Sequence, residues 1–154
     1  MKIEDKVCSL ELSKKLLTLG VEQNSFFYWV HNGHEKYEVI PKIIFDAECN
    51  PNYKICDAFM ASELLTFIPN NVKLKNCEPF DNYRIFITRF NSVDENMKIA
   101  NNFIVNYECD STEATGENAW LRRKLTSNIF DPNLANALAT MLIYILENGV
   151  VEND

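Results

Sequence analysis

Ser25-Phe-Phe-Tyr-Trp-Val30, then Asn32-Gly33, then Tyr37-Glu-Val-Ile40 is the passage that decides the fold. Both runs are dense in aromatic and β-branched residues, which suit a pleated surface. The Asn-Gly pair between them supplies the positive φ angles that a two-residue hairpin turn requires. The passage predicts two antiparallel strands, the second ended by Pro41, which has no N–H to give a ladder. Phe26, Phe27, Tyr28 and Trp29 put large rings on both faces of the first strand. One face joins the core. The other packs under a helix or forms a groove for a planar ligand or a peptide, and burial on both faces is the simpler expectation.

Toward the N-terminus, Ser9 is placed to cap a helix from Leu10 to Leu19, with Leu12, Leu16 and Leu19 on one face and Gly20 to stop it. Toward the C-terminus, Asp46 to Tyr53 reads as a loop around Asn50-Pro51-Asn52. A short middle helix, Ala61 to Phe67, is stopped by Ile68-Pro69-Asn70-Asn71. Tyr83 to Phe90 reads as a central strand covered on both sides. Asn102 to Glu108 alternates, with Phe103, Val105 and Tyr107 inward, and Asn118 to Phe130 stays open between strand and loop.

The last helix has Asp131 as N-cap, Pro132 at its first position and Gly149 just past its end. Leu134, Leu138, Met141, Leu142 and Ile145 share one face, and Ala135, Ala139, Ile143 and Leu146 widen it. Only Asn133, Asn136, Thr140, Tyr144 and Glu147 remain as a polar stripe. A helix so apolar lies across the sheet or buries part of its face against another subunit. Leu138, Met141, Leu142 and Ile145 are therefore the candidate interface. The order α-β-β-α-β-β-α predicts an α+β fold in a single domain over residues 1–154. Its mostly antiparallel sheet of about four or five strands carries an N-terminal helix, a short middle helix and a long C-terminal helix.

A length of 154 residues suits one domain, and 47 % hydrophobic residues exclude a disordered chain. A net charge of −7 works against generic nucleic-acid or anionic-membrane binding. No apolar run reaches the roughly 18 residues of a membrane helix, and the N-terminal residues do not resemble a secretory signal. Cys8, Cys49, Cys56, Cys77 and Cys109 are odd in number and scattered, with no Cys-x-x-Cys, so a reduced, cytoplasmic protein is expected. The 19 Asn, and eleven Lys against four Arg, favour A/T-rich codons and hence a low-GC bacterium, its virus or another mobile element.

His31 and His34 flank the turn and would face each other across a two-residue hairpin, with Glu35 adjacent. They could share a metal, although a solvated turn is the plainer reading. Trp29 or Trp120 could stack on a nucleotide-like ligand while Arg122 or Arg123 meets its phosphate. Three basic residues in a row more often keep a surface soluble. The acidic run Glu108, Asp110, Glu113 and Glu117 could serve a metal-dependent hydrolase, against the plainer reading of a solvated loop. A Cys-His pair through Cys49 or Cys56 is weaker than burial of both thiols. No phosphate-cradling glycine motif or nucleophile elbow is present, and no cofactor is expected.

Three segments carry a resemblance. Cys8-Ser-Leu-Glu-Leu-Ser-Lys-Lys-Leu-Leu-Thr-Leu-Gly20-Val with Gln23-Asn-Ser-Phe-Phe-Tyr-Trp29 resembles the opening of a family of small bacterial proteins found in prophages and other mobile elements. Phe59-Met-Ala-Ser-Glu-Leu-Leu-Thr-Phe-Ile-Pro69 is similar to that family's middle motif, and Asn133 to Gly149 to its closing helix. The family's closing motif usually opens with Thr-Glu-Ala running into the helix, whereas here Thr112-Glu-Ala114 stands upstream. The resemblance brings no catalytic residues and implies an accessory protein that binds a host factor or a small signal. Together these readings predict a non-catalytic protein-interaction module, homodimeric, that meets its partner through the C-terminal helix or the aromatic hairpin. The alternatives are a nucleotide-like ligand binder and the metal-dependent hydrolase.

Overall fold

The computed structural model describes residues 2–33, 36–73, 83–93, 99–109, 123–124, 128–148 and 151–152. After a 3₁₀ turn at Ile3–Asp5, helix α1 (Leu10–Thr18) leads to strands β1 (Phe27–His31) and β2 (Tyr37–Pro41) and then to helix α2 (Lys42–Glu48). A second 3₁₀ turn, Pro51–Tyr53, precedes β3 (Lys54–Asp57), helix α3 (Ala61–Phe67) and β4 (Asn71–Lys73). Two long strands follow, β5 (Tyr83–Val93) and β6 (Ile99–Cys109). The chain closes with β7 (Arg123–Lys124), β8 (Ile129–Asp131), helix α4 (Leu134–Asn148) and β9 (Val151–Glu152). Among the described residues the pairings make two antiparallel sheets. One has the order β2-β1-β3; the other runs β7-β6-β5-β4-β9, with β8 also beside β6. The architecture is α+β, as the element pattern predicts. No helix of the described residues is long and apolar enough to cross a membrane.

The local signals act as expected at α1. Ser9 Oγ accepts from Leu12 N–H, Leu16 is fully buried, and Gly20 closes the helix at φ 81°. The hairpin forms, but not with a two-residue turn. His31 pairs with Tyr37, and Asn32 N–H bonds Lys36 O, so the ladder partner of His31 is Tyr37; His34 and Glu35 lie outside the described residues. Gly33 still supplies the positive φ.

Helix α4 packs against β6 and β8 of the larger sheet and also against α1 and α3. Leu138, Met141, Leu142 and Ile145 are all buried in this chain's own core, beside Leu16, Phe59, Leu64, Val105 and Tyr107. They are not a contact face for another subunit. Burying such side chains contributes about 1.5–3 kcal/mol each to the folding of the chain itself. The polar stripe is used internally as well. Asn136 Oδ1 accepts from Ser9 N–H at 2.8 Å, Asn133 Nδ2 donates to Val7 O at 2.9 Å, and Lys15 pairs with Glu147 at the surface.

The N-terminal end of α4 differs from the expected one. Asp131 stays in β8 opposite Phe103, and its carboxylate takes the N–H of Asn133. Asn133 Oδ1 in turn accepts from Ala135 N–H, so Asn133 is the cap and Pro132 lies before the helix. The segment read as a loop, Asp46 to Tyr53, takes in the last three residues of α2, whose seven residues are too few to show a period, and the 3₁₀ turn Pro51–Tyr53; Phe45 is the buried anchor of α2. Strand β5 is central, yet beyond Ile85 it is open: Phe86 and Ile87 are each 39 % exposed. On that outer face Phe90 meets Phe130 edge-on at 6.1 Å. Within Asn118 to Phe130, Arg123–Lys124 and Ile129–Phe130 are strand, and the remainder except Asn128 lies outside the described residues.

Candidate functional site

The three-stranded sheet is covered on both faces, which decides the fate of its aromatics. Trp29 and Phe27 join Val7, Val39, Cys56 and Ala58, while Tyr28 joins Val30 and Phe45 of α2 in an edge-on pair at 5.4 Å. Trp29 is 8 % exposed and its indole N–H donates to Cys8 O at 3.1 Å, so it is a core residue and not a stacking platform. His31 sits at the strand end with its ring against Tyr37, and its Nδ1 accepts from Gly33 N–H. Among the described residues no three His, Cys, Asp or Glu side chains group as metal ligands. Glu108, opposite Arg84 in β5, accepts from Asn106 Nδ2 at 2.9 Å. Arg123 lies in β7 opposite Cys109. His34, Asp110, Glu113, Glu117, Trp120 and Arg122 lie outside the described residues.

The two buried thiols are poor nucleophiles. Cys8 and Cys56 are buried and free, and Cys8 Sγ lies 3.1 Å from Ser13 Oγ. Burial pushes the Cys8 thiol up; burial, reinforced by the neighbouring Cys8, pushes Cys56 up to about 12. Neither is a thiolate near neutral pH, which is the condition for attack.

What stands out is the residue just ahead of β1. Phe26 is 68 % exposed, while its peptide is held from both sides. Its N–H donates to Glu63 Oε1 at 2.8 Å, and its carbonyl accepts from Lys42 N–H at 2.8 Å. Glu63 reaches this position because it closes the first turn of α3, where its Oε2 accepts from Met60 N–H at 2.6 Å. The same carboxylate receives Ser25 Oγ at 3.0 Å, and that hydroxyl also lies 2.9 Å from Ala58 O.

Ser25 N–H donates to Asp57 Oδ2 at 2.6 Å, and Asp57 N–H to Gln23 Oε1 at 2.9 Å. Asp57 is fully buried. Its Oδ1 takes no hydrogen bond of good geometry and is compensated by the Lys54 ammonium 2.8 Å away, which also sits 3.7 Å from the centre of the Tyr28 ring. Three elements and a chain of carboxylates thus fix one backbone position whose side chain points into water.

Two hollows flank that ring. One, of about 570 Å³, is almost wholly apolar and is lined by Phe26, Phe27, Pro41 and Ile43, with Lys42 and Asp46 at its edge. Ile43 is 81 % exposed. The other, of about 470 Å³, is more polar and lies between Phe26, Glu22, Asn24, Ser62 and Phe67. Single exposed apolar residues are ordinary; two large ones beside an apolar hollow on a clamped backbone make this the candidate site among the described residues. Glu63 is already occupied by three donors, and Thr66 Oγ1 donates to Glu63 O, so neither is a free base or nucleophile.

The sequence singles out the aromatic run but not which ring escapes burial. Ile43-Ile44, directly after Pro41-Lys42 in a segment with no period, was the available signal for the second half of the surface. No family model, no curated protein and no solved structure matches this chain.

Proposed function

We propose that this protein is a non-catalytic protein-interaction module, an accessory protein of phage or mobile-element type, and that it meets its partner through the Phe26–Ile43 surface. The observation that carries the reading is the exposed Phe26 ring on a backbone held by Glu63 and Lys42. A side chain displayed from a fixed backbone loses little further freedom on association, so more of its burial is retained as affinity. The resemblance of the three segments quoted above supports the class of accessory protein, and the free thiols of Cys8, Cys49 and Cys56 support a reducing cytoplasm.

The test is site-specific photo-cross-linking in the producing cell. A photoreactive phenylalanine at Ile43 is expected to give a discrete adduct, whereas the same group at exposed Glu11 of α1 gives none. In parallel, nucleotides and divalent metals are expected to leave the melting temperature unchanged. A nucleotide or metal that raises it, or adducts equally frequent at both positions, overturns the reading.

A further inference from the structure

We infer that the occupant of the Phe26–Ile43 surface is a second copy of this chain, the two related by a twofold axis; the inference rests on the reading of that face as the contact surface. A twofold interface uses the same patch on both partners, so the patch must complement itself in shape and in charge. This one does both. It carries a projecting ring, Phe26, directly beside an apolar hollow of about 570 Å³, so each copy offers a knob and a hole. Its charges are Lys42 and Asp46, one helical turn apart on α2. Antiparallel apposition of the two α2 helices sets Lys42 of each copy against Asp46 of the other and forms both pairs at once.

The rest of the molecule makes this patch the suitable place. Two chains at −7 repel each other, so they approach best at a face that sets a cation beside its anion, as the lining of the apolar hollow does with Lys42 and Asp46. A strongly acidic or strongly basic partner would satisfy one of the two charges and be repelled by the other.

The experiment is sedimentation velocity of the full chain from low micromolar to submillimolar concentration. The variants are Ile43→Ser, Lys42→Glu, Asp46→Lys and the double exchange Lys42→Glu with Asp46→Lys. The wild type is expected to show a monomer–dimer equilibrium, and Ile43→Ser to stay monomeric with unchanged circular dichroism. Each single charge reversal is expected to weaken the dimer at least about tenfold by setting like charges together. The double exchange restores it, because the pairing is regenerated with its signs reversed. That recovery is something a merely destabilised variant cannot show. A dimer indifferent to Ile43→Ser, or no recovery in the double exchange, overturns the twofold arrangement. A wild type monomeric throughout, with an Ile43 cross-link to a different protein, overturns the dimer and leaves the contact surface standing. A monomer without any Ile43 adduct overturns both.

Discussion

Glu63 is the residue on which the display of Phe26 turns, and its replacement by alanine is the sharpest test of the site's construction. The carboxylate accepts from Met60 N–H at 2.6 Å, Phe26 N–H at 2.8 Å and Ser25 Oγ at 3.0 Å. Hydrogen bonds to an ionised acceptor are worth about 1.5–3 kcal/mol each. The three do not sum in full. Ser25 Oγ keeps Ala58 O as an acceptor at 2.9 Å, and the Phe26 N–H lies near the surface, where water can replace Glu63. The half-buried Met60 N–H loses its partner outright. Glu63→Ala is therefore expected to lower unfolding free energy by about 2–4 kcal/mol. Glu63→Gln, which keeps one acceptor oxygen but turns an N–H₂ toward a backbone donor, costs about 1–2 kcal/mol. Urea unfolding with an unchanged m-value is the assay. Phe26→Ser serves as the complement: with a ring 68 % exposed it is expected to change stability by less than about 1 kcal/mol while abolishing association. A Glu63→Ala protein within about 0.5 kcal/mol of wild type would show that the carboxylate is not what holds this junction.

Lys54→Met leaves the fully buried Asp57 carboxylate without its ammonium and is expected to cost about 3 kcal/mol in urea unfolding; a neutral result would mean that Asp57 is compensated elsewhere. Asn133→Ala removes both the α4 cap and the bond to Val7 O, for a loss of about 2 kcal/mol, whereas Pro132→Ala, ahead of the helix, is expected to be mild; equal effects would argue for the cap at Asp131. The Cys56 thiol loses its proton near 9 when unfolded but only near 12 when folded, so the unfolded state binds fewer protons between those values. Stability therefore falls as pH rises from 9 toward 12, and a Cys56→Ala protein with the same alkaline slope as wild type would contradict the assignment. In the native protein Cys49, half-buried, is expected to react with iodoacetamide before Cys8 and Cys56; mass spectrometry of the alkylated chain reads the order directly.

Regular elements of useful length were legible because each carries its own signature. The Ser9 cap, the Leu12 and Leu16 spacing and Gly20 mark α1 at both ends, and the alternation of Phe103, Val105 and Tyr107 marks β6. What escaped had no such signature. Helix α2 and β3 are seven and four residues long, β4 only three, and each is held by neighbours and not by a period. The hairpin turn shows a different failure. Gly33 does provide a positive φ, but the register pairs His31 with Tyr37, three residues further along than a two-residue turn would place its partner. As for the site, the sequence offers the C-terminal helix or the aromatic hairpin as the contact surface and Trp29 as a stacking ring, with burial of Phe26 to Trp29 on both faces as the simpler expectation. Tertiary packing divides the rings: Trp29 has an internal acceptor at Cys8 O, and Phe26, lying just outside β1, has no opposing layer.

The same reasoning explains why the most apolar helix is spent on this chain's own core. An apolar excess on one element says only that it needs several neighbours, and here the chain supplies them. Helix α4 is met by β6 and β8 of one sheet and by α1 and α3, with Ala135, Ala137 and Ala139 fully or almost fully buried so that neighbours can approach closely. Its polar stripe is then free to bind the Val7–Ser9 segment, whose own Cys8 N–H bonds Phe59 O and whose Cys8 carbonyl receives the Trp29 indole. That segment joins α4 and the neighbourhood of α3 to the aromatic sheet, so Trp29 cannot be drawn outward without loosening the contact between α1 and α4. Phe26 carries no such constraint. It is anchored through its backbone alone, and for that reason its ring, 68 % exposed, is one this fold can offer to another molecule at little cost to itself.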